Sequence, residues 1–279
     1  NQHVLFQQMK QFVEHTAQKT QSQVYEFPAA FEAFCDNGSN IPLYDNTSAA
    51  LKSVYNQVHN EQNRKISILD IGVGAGRALI PAITEHISSI SLLEPSANML
   101  DDCQTAIQPI VNKHSITVKS HNSNMQDFIK QDNNNHETFD VIEGTFSIQS
   151  IPPSERKTVF EWIRTHSKHF MMVEFNVPNE YSLDTWNPKR SNFIEQVFLK
   201  GMEDYKHCNP ELFQLVSQGF LMPVLFSYFD ENKPRVNYEK PIAGWVQDLV
   251  DAGYKESNIQ VTEVFPYWWS TAYLIHARS

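Results

Sequence analysis

Two stretches of the chain hold residues whose types and spacing could do chemistry. In Ile66-Ser-Ile-Leu-Asp-Ile-Gly-Val-Gly-Ala-Gly-Arg77, a short apolar run leads through Asp70 into three alternating glycines, Gly72, Gly74 and Gly76. Glycine at such positions leaves the backbone open to a ligand that side chains would block. In Leu92-Leu-Glu-Pro-Ser96, Glu94 and Pro95 close the next apolar run. A carboxylate at the tip of a neighbouring strand suits the hydroxyls of a ribose. Together the two stretches point to a nucleoside-containing cofactor.

These residues need a strand-turn-helix frame, and the surrounding pattern supplies one. Strands are predicted at Ile66–Ile71, Ile90–Glu94, Ile116–Ser120, Phe139–Phe146 and Phe170–Phe175, separated by segments with helical character. Such alternation gives right-handed crossovers and a parallel sheet with helices on both faces. Ligands of these sheets lie at the carboxyl ends of the strands. Weight therefore falls on Asp70 to Gly76, Glu94, the Asn122–Met125 turn with Asn124, Glu143 to Ser147, and Glu174 to Asn176. Ile259–Phe265 and Ser270–His276 read as two closing strands joined by the aromatic connection Tyr267-Trp-Trp.

On either side the text is helical and aromatic. Leu5, Met9, Phe12 and Val13 recur at helical spacing, Pro28 is placed to open a second helix, and Asn37–Pro42 reads as a turn. Thr47 or Ser48 then caps a third helix running to about Val58. The expected organisation is an N-terminal helical lid over 1–62 and a sheet domain over 63–279, the latter with a helical cap inserted at about 186–235. Asp132–His136 is expected to be an exposed loop.

Composition sets the limits. With 279 residues, 41% hydrophobic and 12% aromatic, the chain can bury a substantial core. A formal net charge of −10 argues against neutralising nucleic-acid phosphates or anionic lipid. Cys35, Cys103 and Cys208 are odd in number and widely spaced, with no zinc-like pattern, so a reduced cytoplasmic protein without a metal is expected. No apolar run reaches the roughly 18 to 20 residues that span a bilayer. The chain starts at Asn1 with no basic-then-apolar signal, and since Asn is not an initiator, residues upstream are expected.

Asp70 to Gly76, Glu94 in Leu-Glu-Pro-Ser, Phe139-Asp-Val-Ile, Phe170-Met-Met-Val-Glu and the closing strand pair together resemble the class I S-adenosylmethionine-dependent methyltransferases, over roughly 62–178 and 240–279. The Glu-Pro-Ser stretch and Gly144-Thr-Phe-Ser-Ile-Gln149 look similar to the small-molecule members. The resemblance implies an α/β, Rossmann-like, seven-stranded mostly parallel sheet. It also implies S-adenosylmethionine as cofactor, S-adenosylhomocysteine as product, and methyl transfer to N or O of a small molecule or short peptide, for instance in natural-product biosynthesis. By the same resemblance, Asp70 and the Gly72–Gly76 backbone hold the amino-acid end of the cofactor and Glu94 its ribose. Met99 or Met125 then meets the adenine, and Gly144 and Thr145 lie beside the methionine part. The rival cofactor is a dinucleotide, but its GxGxxG fingerprint would place the third glycine at position 77, which is Arg77.

Other candidates keep two readings. Met99 and Met125 are equally good core fillers. Arg77 could hold the cofactor carboxylate or stand exposed in a first helical turn, and Glu143 could face the sulfonium or solvent. Tyr25, Phe27 and Phe31 resemble the aromatic N-terminal lid of relatives or form one more packed face. Ser147, Gln149, Tyr267, Trp268 and Trp269 could line an acceptor cavity, although clustered aromatics more often pack. A base, if used, is sought at His207, Glu174 or Asn176. A monomer or homodimer, with no nucleic-acid or membrane partner, completes the expectation. A non-catalytic module that keeps the cofactor fold is the alternative from another functional class.

Overall fold

The computed structural model describes residues 2–16, 28–131, 137–178, 188–228 and 237–279. Tyr25, Phe27 and the Asp132–His136 stretch lie outside these residues. The chain opens with helices α1 (Gln2–Thr16), α2 (Pro28–Cys35) and α3 (Asn40–Gln62). Strand β1 (Ile66–Ile71), helix α4 (Leu79–Ala82), strand β2 (Ile87–Leu93) and helix α5 (Ala97–His114) follow. Then come β3 (Thr117–His121), α6 (Met125–Gln131), β4 (Phe139–Thr145), α7 (Pro153–His166) and β5 (Ser167–Phe175). Helices α8 (Pro188–Tyr205), α9 (Pro210–Val216), α10 (Met222–Ser227) and α11 (Ile242–Asp251) precede the last strands, β6 (Ile259–Phe265) and β7 (Ala272–Arg278).

The seven strands form one sheet in the order β3-β2-β1-β4-β5-β7-β6. Strands β1 to β5 pair in parallel, whereas β7 runs antiparallel to both β5 and β6. This is the expected seven-stranded, mostly parallel, Rossmann-like architecture. The chain runs outward from β1 through β2 to β3 and then returns to β4 on the other side of β1. The gap between β1 and β4 is therefore the switch point of the sheet, where open α/β folds bind ligands. Strand β1 is an aliphatic run buried on both faces, as a central parallel strand must be. A cluster including Leu69, Ile142, Phe160, Phe170, Trp245 and Ile275 forms the core on one face of the sheet.

Helix ends follow their local chemistry. Ser96 caps α5 through its side chain at Met99 N, and Ser115 ends the same helix in the left-handed region at φ 56°. Asn209 caps α9, accepting from Leu212 N at 2.9 Å, with Pro210 in the first turn. Two expectations are corrected. Helix α3 begins at Asn40, not near Thr47, because Pro42 falls in its first turn, where the missing N–H has no helical partner to lose. Thr47 and Ser48 are buried inside the helix, and Ser48 Oγ donates to Ala78 O at 2.9 Å instead of capping. The helix expected after the glycine turn is the single turn α4.

The described chain divides into two compact units. One comprises 1–43, 177–236 and 266–271, and the other comprises 44–176, 237–265 and 272–279 and contains the whole sheet. Residues 44–62 thus group with the sheet, not with the helices before them. In the helical unit, Asn40 is 3% exposed and anchors a polar knot among aromatics. Its Nδ2 donates to Tyr205 Oη at 2.6 Å and to Phe34 O at 2.8 Å, while its Oδ1 accepts from Tyr267 Oη at 2.9 Å. Gly219, in a π-helical turn at Ser217–Leu221, packs so closely that a Cβ would come within 2.4 Å of Ala30 Cβ.

Where the amino end of β5 meets the carboxyl end of its antiparallel neighbour β7, two buried histidines meet, with His169 Nδ1 3.1 Å from His276 Nε2. Glu61 and Arg278 stand nearby, Glu61 lying 3.7 Å from His169 and 3.6 Å from Arg278. Burial first, then repulsion from His169 and Arg278, pushes His276 down to about 4. Both rings are neutral in the fold and take up protons on unfolding. Stability is therefore complete above the ordinary histidine range and declines as pH falls from about 6.5 toward 4. Urea midpoints measured across that range should fall with pH, and His276→Gln, which cannot titrate, should flatten the decline.

Candidate functional site

The loop after β1 holds all three glycines in the left-handed region, with φ 72°, 56° and 80° at Gly72, Gly74 and Gly76. Their reasons differ. A Cβ on Gly72 would meet Ser147 Cβ at 2.5 Å, and one on Gly76 would meet Ile80 Cδ1 at 2.7 Å and Cys103 Sγ at 2.9 Å. Gly74 would meet only Met99 Cε, at 3.3 Å. Gly72 and Gly76 are thus required by packing as well as by backbone, and Gly74 is the open rung.

Glu94, just beyond β2, is 7% exposed. Its Oε2 accepts from Gly74 N at 3.0 Å and its Oε1 from Ser96 N at 2.9 Å. The carboxylate therefore spans the glycine loop and the start of α5, and each oxygen retains a lone pair for a further donor. Asn122 Nδ2 fastens this strand end from β3, donating to Glu94 O and Pro95 O, both at 3.0 Å. Asn124 is a helix cap: its Oδ1 accepts from Asp127 N at 2.8 Å.

Across the switch point Asp70 pairs in register with Glu143 of β4. Asp70 is 4% exposed and Glu143 1%. Asp70 Oδ1, both Glu143 oxygens and Tyr55 Oη from α3 are buried without a hydrogen bond of full geometry. An unsatisfied buried polar group costs about 1–3 kcal/mol, so the cluster is expensive unless something else compensates. Burial chiefly, then the Glu143 and Glu94 charges, holds the Asp70 carboxyl well above the ordinary carboxylate range. Burial pushes Glu143 up to about 7, against the opposing hydrogen-bonding influence of Tyr55 and Asp70. Cys103, facing the same acids from α5, is pushed up to about 12, by burial first. Tyr55 escaped notice in the sequence because an aromatic on an apolar helix face carries no motif, whereas Asn122 was visible only as the first residue of a strand-end turn.

A cleft of about 170 Å³ opens at the carboxyl ends of β1 and β2 and brings together Gly72, Pro95, Asn124, Met125 and Ser147, joined by Ser123 and Ser150. Met125 is both cleft wall and core, being 3% exposed and packed into the main cluster. Ser147 Oγ donates to Ile71 O at 2.5 Å, tying the β4 loop to the end of β1. Gly144 is shut in by Ile148, whose Cδ1 would lie 2.6 Å from an added Cβ, and Thr145 and Arg77 are half-buried. Phe146 stands next to them at φ 53°, stacked on Phe175 with ring centroids 4.7 Å apart.

The candidates for a base occupy separate places. Glu174 is 1% exposed, accepts from Gln149 N at 3.0 Å, and is pushed up to about 8, mainly by burial. Asn176 Oδ1 accepts from Ile242 N at the start of α11, at 3.0 Å. His207 belongs to the helical unit, where it lines a pocket of about 480 Å³ with Lys200, Glu203, Asp204 and Trp268. Phe31, Tyr267 and Trp269 lie in that unit too, Phe31 against Phe220 and Trp269 against Tyr228, Phe193 and Phe198. Gln149 stays in the sheet unit, its Nε2 donating to Phe146 O. Among the described residues no His, Cys, Asp and Glu group could hold a metal ion, and no helix is long and apolar enough to cross a membrane.

Comparison with known proteins is informative at the level of structure. No protein-family profile matches the chain, and no curated protein matches it in sequence. It is similar to the crystal structure of magnesium protoporphyrin IX methyltransferase from Synechocystis PCC 6803 with bound SAH, with a TM-score of 0.52 and 11% identity over 99% of this chain and 94% of that one. The same enzyme with bound SAM gives 0.49 and 10% identity over 98% and 91%. The methyltransferase domain of bacterial CtHen1-C gives 0.48 and 13% identity over 84% and 98%. The chain has the class I methyltransferase fold.

Gly76→Ala should lower thermal stability by roughly 1–3 kcal/mol, since the new methyl meets Ile80 and Cys103 in a backbone region that alanine avoids. Gly74→Ala should cost less, because beyond the backbone penalty it meets only the flexible end of Met99 at 3.3 Å. Thermal or urea denaturation of the two variants side by side measures the difference.

Proposed function

We propose that this chain is an S-adenosylmethionine-dependent methyltransferase acting on an N or O atom of a small molecule or short peptide. The observation that carries the reading is Glu94, held by the amides of Gly74 and Ser96 beside an open glycine rung at the switch point of the sheet. The residues present fit the cofactor. Glu94 has acceptor capacity left for two ribose hydroxyls, and Gly74 is approached only by the flexible end of Met99. Unpaired buried oxygens on Asp70 and Glu143 suit a ligand with cationic groups, and Pro95, Asn124 and Met125 provide a partly apolar wall for a base. Arg77 at the position of the third fingerprint glycine speaks against a dinucleotide.

When bound, the cofactor supplies an activated methyl group on a sulfonium. The protein's part is then to hold the donor, orient the acceptor and exclude water. Orientation alone is worth up to roughly 7–11 kcal/mol, against about 10²–10⁴-fold for a general base. The chemistry therefore does not call for a strong base. Glu174, whose carboxyl burial pushes up to about 8, accepts from the Gln149 amide and keeps the turn after β4 in place. Tailoring of a natural product is the setting we favour, since nothing in the acidic composition suits nucleic acid.

Equilibrium binding tests this. Wild-type protein should retain S-adenosylmethionine and S-adenosylhomocysteine and not NAD, and Glu94→Ala should weaken binding by about 10–100-fold, the worth of one hydrogen bond to a charged group. Label from the donor methyl should reach amine or hydroxyl acceptors in a panel. Tight NAD binding without S-adenosylmethionine binding would overturn the reading, and donor binding without transfer to any acceptor would favour a non-catalytic module.

A further inference from the structure

The glycine loop does not need what lies behind Asp70. Glu143 sits beside it in the parallel register of β1 and β4, and Tyr55 reaches the same spot from α3, fully buried. Asp70 Oδ1, both Glu143 oxygens and Tyr55 Oη all lack a hydrogen-bond partner of full geometry. The groups acting on this pair come from each element around it: Asp70 from β1, Glu94 from the end of β2, Glu143 from β4 and Tyr55 from α3, with Cys103 of α5 facing Asp70 and Glu94. Asp70 is the outermost of the pair, at 4% exposure against 1% for Glu143.

We infer that Tyr55, Glu143 and Asp70 form a proton-holding relay, in which Asp70 and Glu143 share a proton in the free protein and yield it to solvent when a cationic group docks against Asp70. The inference rests on the S-adenosylmethionine reading above, whose ligand brings an ammonium and a sulfonium. Two neighbouring carboxyls removed from water cannot both ionise without a cation, so one proton stays with the pair. Burial pushes Glu143 up to about 7, and burial together with the Glu143 charge holds Asp70 well above its ordinary range, so the pair keeps one proton at neutrality until a cation arrives. Tyr55 is held well above the ordinary phenol range and stays protonated, so it acts only as a donor and favours the ionised form of Glu143. A positive charge at Asp70 favours the doubly ionised pair. Proton loss and ligand binding are therefore linked, and affinity rises with pH by up to about tenfold per unit through neutrality. Tyr55 and Glu143 are positioning residues here, acting on the ligand through Asp70.

The test combines carboxyl ¹³C NMR of the free protein with calorimetry of S-adenosylhomocysteine binding in phosphate, Hepes and Tris, whose ionisation heats differ. In wild-type protein the Glu143 carboxyl should titrate near neutrality, and binding at about pH 7 should release a fraction of a proton. Glu143→Gln, which leaves Asp70 as the only acid of the pair, should reduce the release. Tyr55→Phe should move the Glu143 titration, and the steepest part of the pH dependence of affinity, to higher pH. Equal release in Glu143→Gln, a Glu143 signal that does not titrate between about pH 5.5 and 8.5, or tight binding with no release would overturn the relay. If Glu143→Gln does not fold, the wild-type and Tyr55→Phe titrations decide. Failure of folded wild-type protein to bind S-adenosylhomocysteine at all overturns the cofactor reading and the release with it, whereas binding without release overturns the relay alone.

Discussion

The site depends on the parallel pairing of β1 with β4. That register puts Asp70 directly beside Glu143 at the place where the chain reverses its direction across the sheet. Two carboxyls at adjacent strand ends, removed from water, cannot both ionise unless a cation joins them. The pairing is secured elsewhere. At the opposite end of the same two strands, Arg64 makes a two-pronged contact with Asp140 at 2.8 and 2.5 Å, and Asp140 also accepts from Ser67 N at 2.8 Å. The same strand pair thus carries a paired acid at one end and a buried acid pair at the other.

The turns around this pair are fixed by close approach. Ser147 Oγ holds the end of β1, and its Cβ fills the space that a side chain at Gly72 would need. Ile148 does the same at Gly144. The two loops therefore interlock, so that a substitution in either displaces the other. Glu94 links the glycine loop to α5 through two backbone amides. Its role in the unliganded protein is structural as much as recognitive, since it satisfies the N–H groups of Gly74 and Ser96.

How much of this was legible in the sequence can be traced residue by residue. The sheet was, because aliphatic runs punctuated by glycine and acid leave few alternatives. Strand β1 is found at Ile66–Ile71 and β6 at Ile259–Phe265, as read, and the other strands are displaced by three residues or fewer. The start of α3 was not legible, because Asn-Ile-Pro reads as a turn until its position in a first helical turn is known. Among the site residues, the glycines and Glu94 were visible as a pattern, whereas Tyr55 was hidden by its helix. Its ring obeys the apolar periodicity of α3, and only the fold reveals that its hydroxyl ends beside Glu143.

By itself the sequence determined the fold class, the glycine turn and the carboxylate beyond β2, because each follows from local periodicity and from what a side chain or its absence permits within a few residues. The tertiary structure decided which side chains share a location. It placed Asp70 against Glu143 across 73 positions of sequence (143 − 70), brought Tyr55 behind them, and gave Asn40 its partners Tyr205 and Tyr267. Those outcomes depend on strand register and on the burial of particular polar atoms. Both are properties of long-range packing, and hydrophobic patterning along the chain does not encode them one residue at a time.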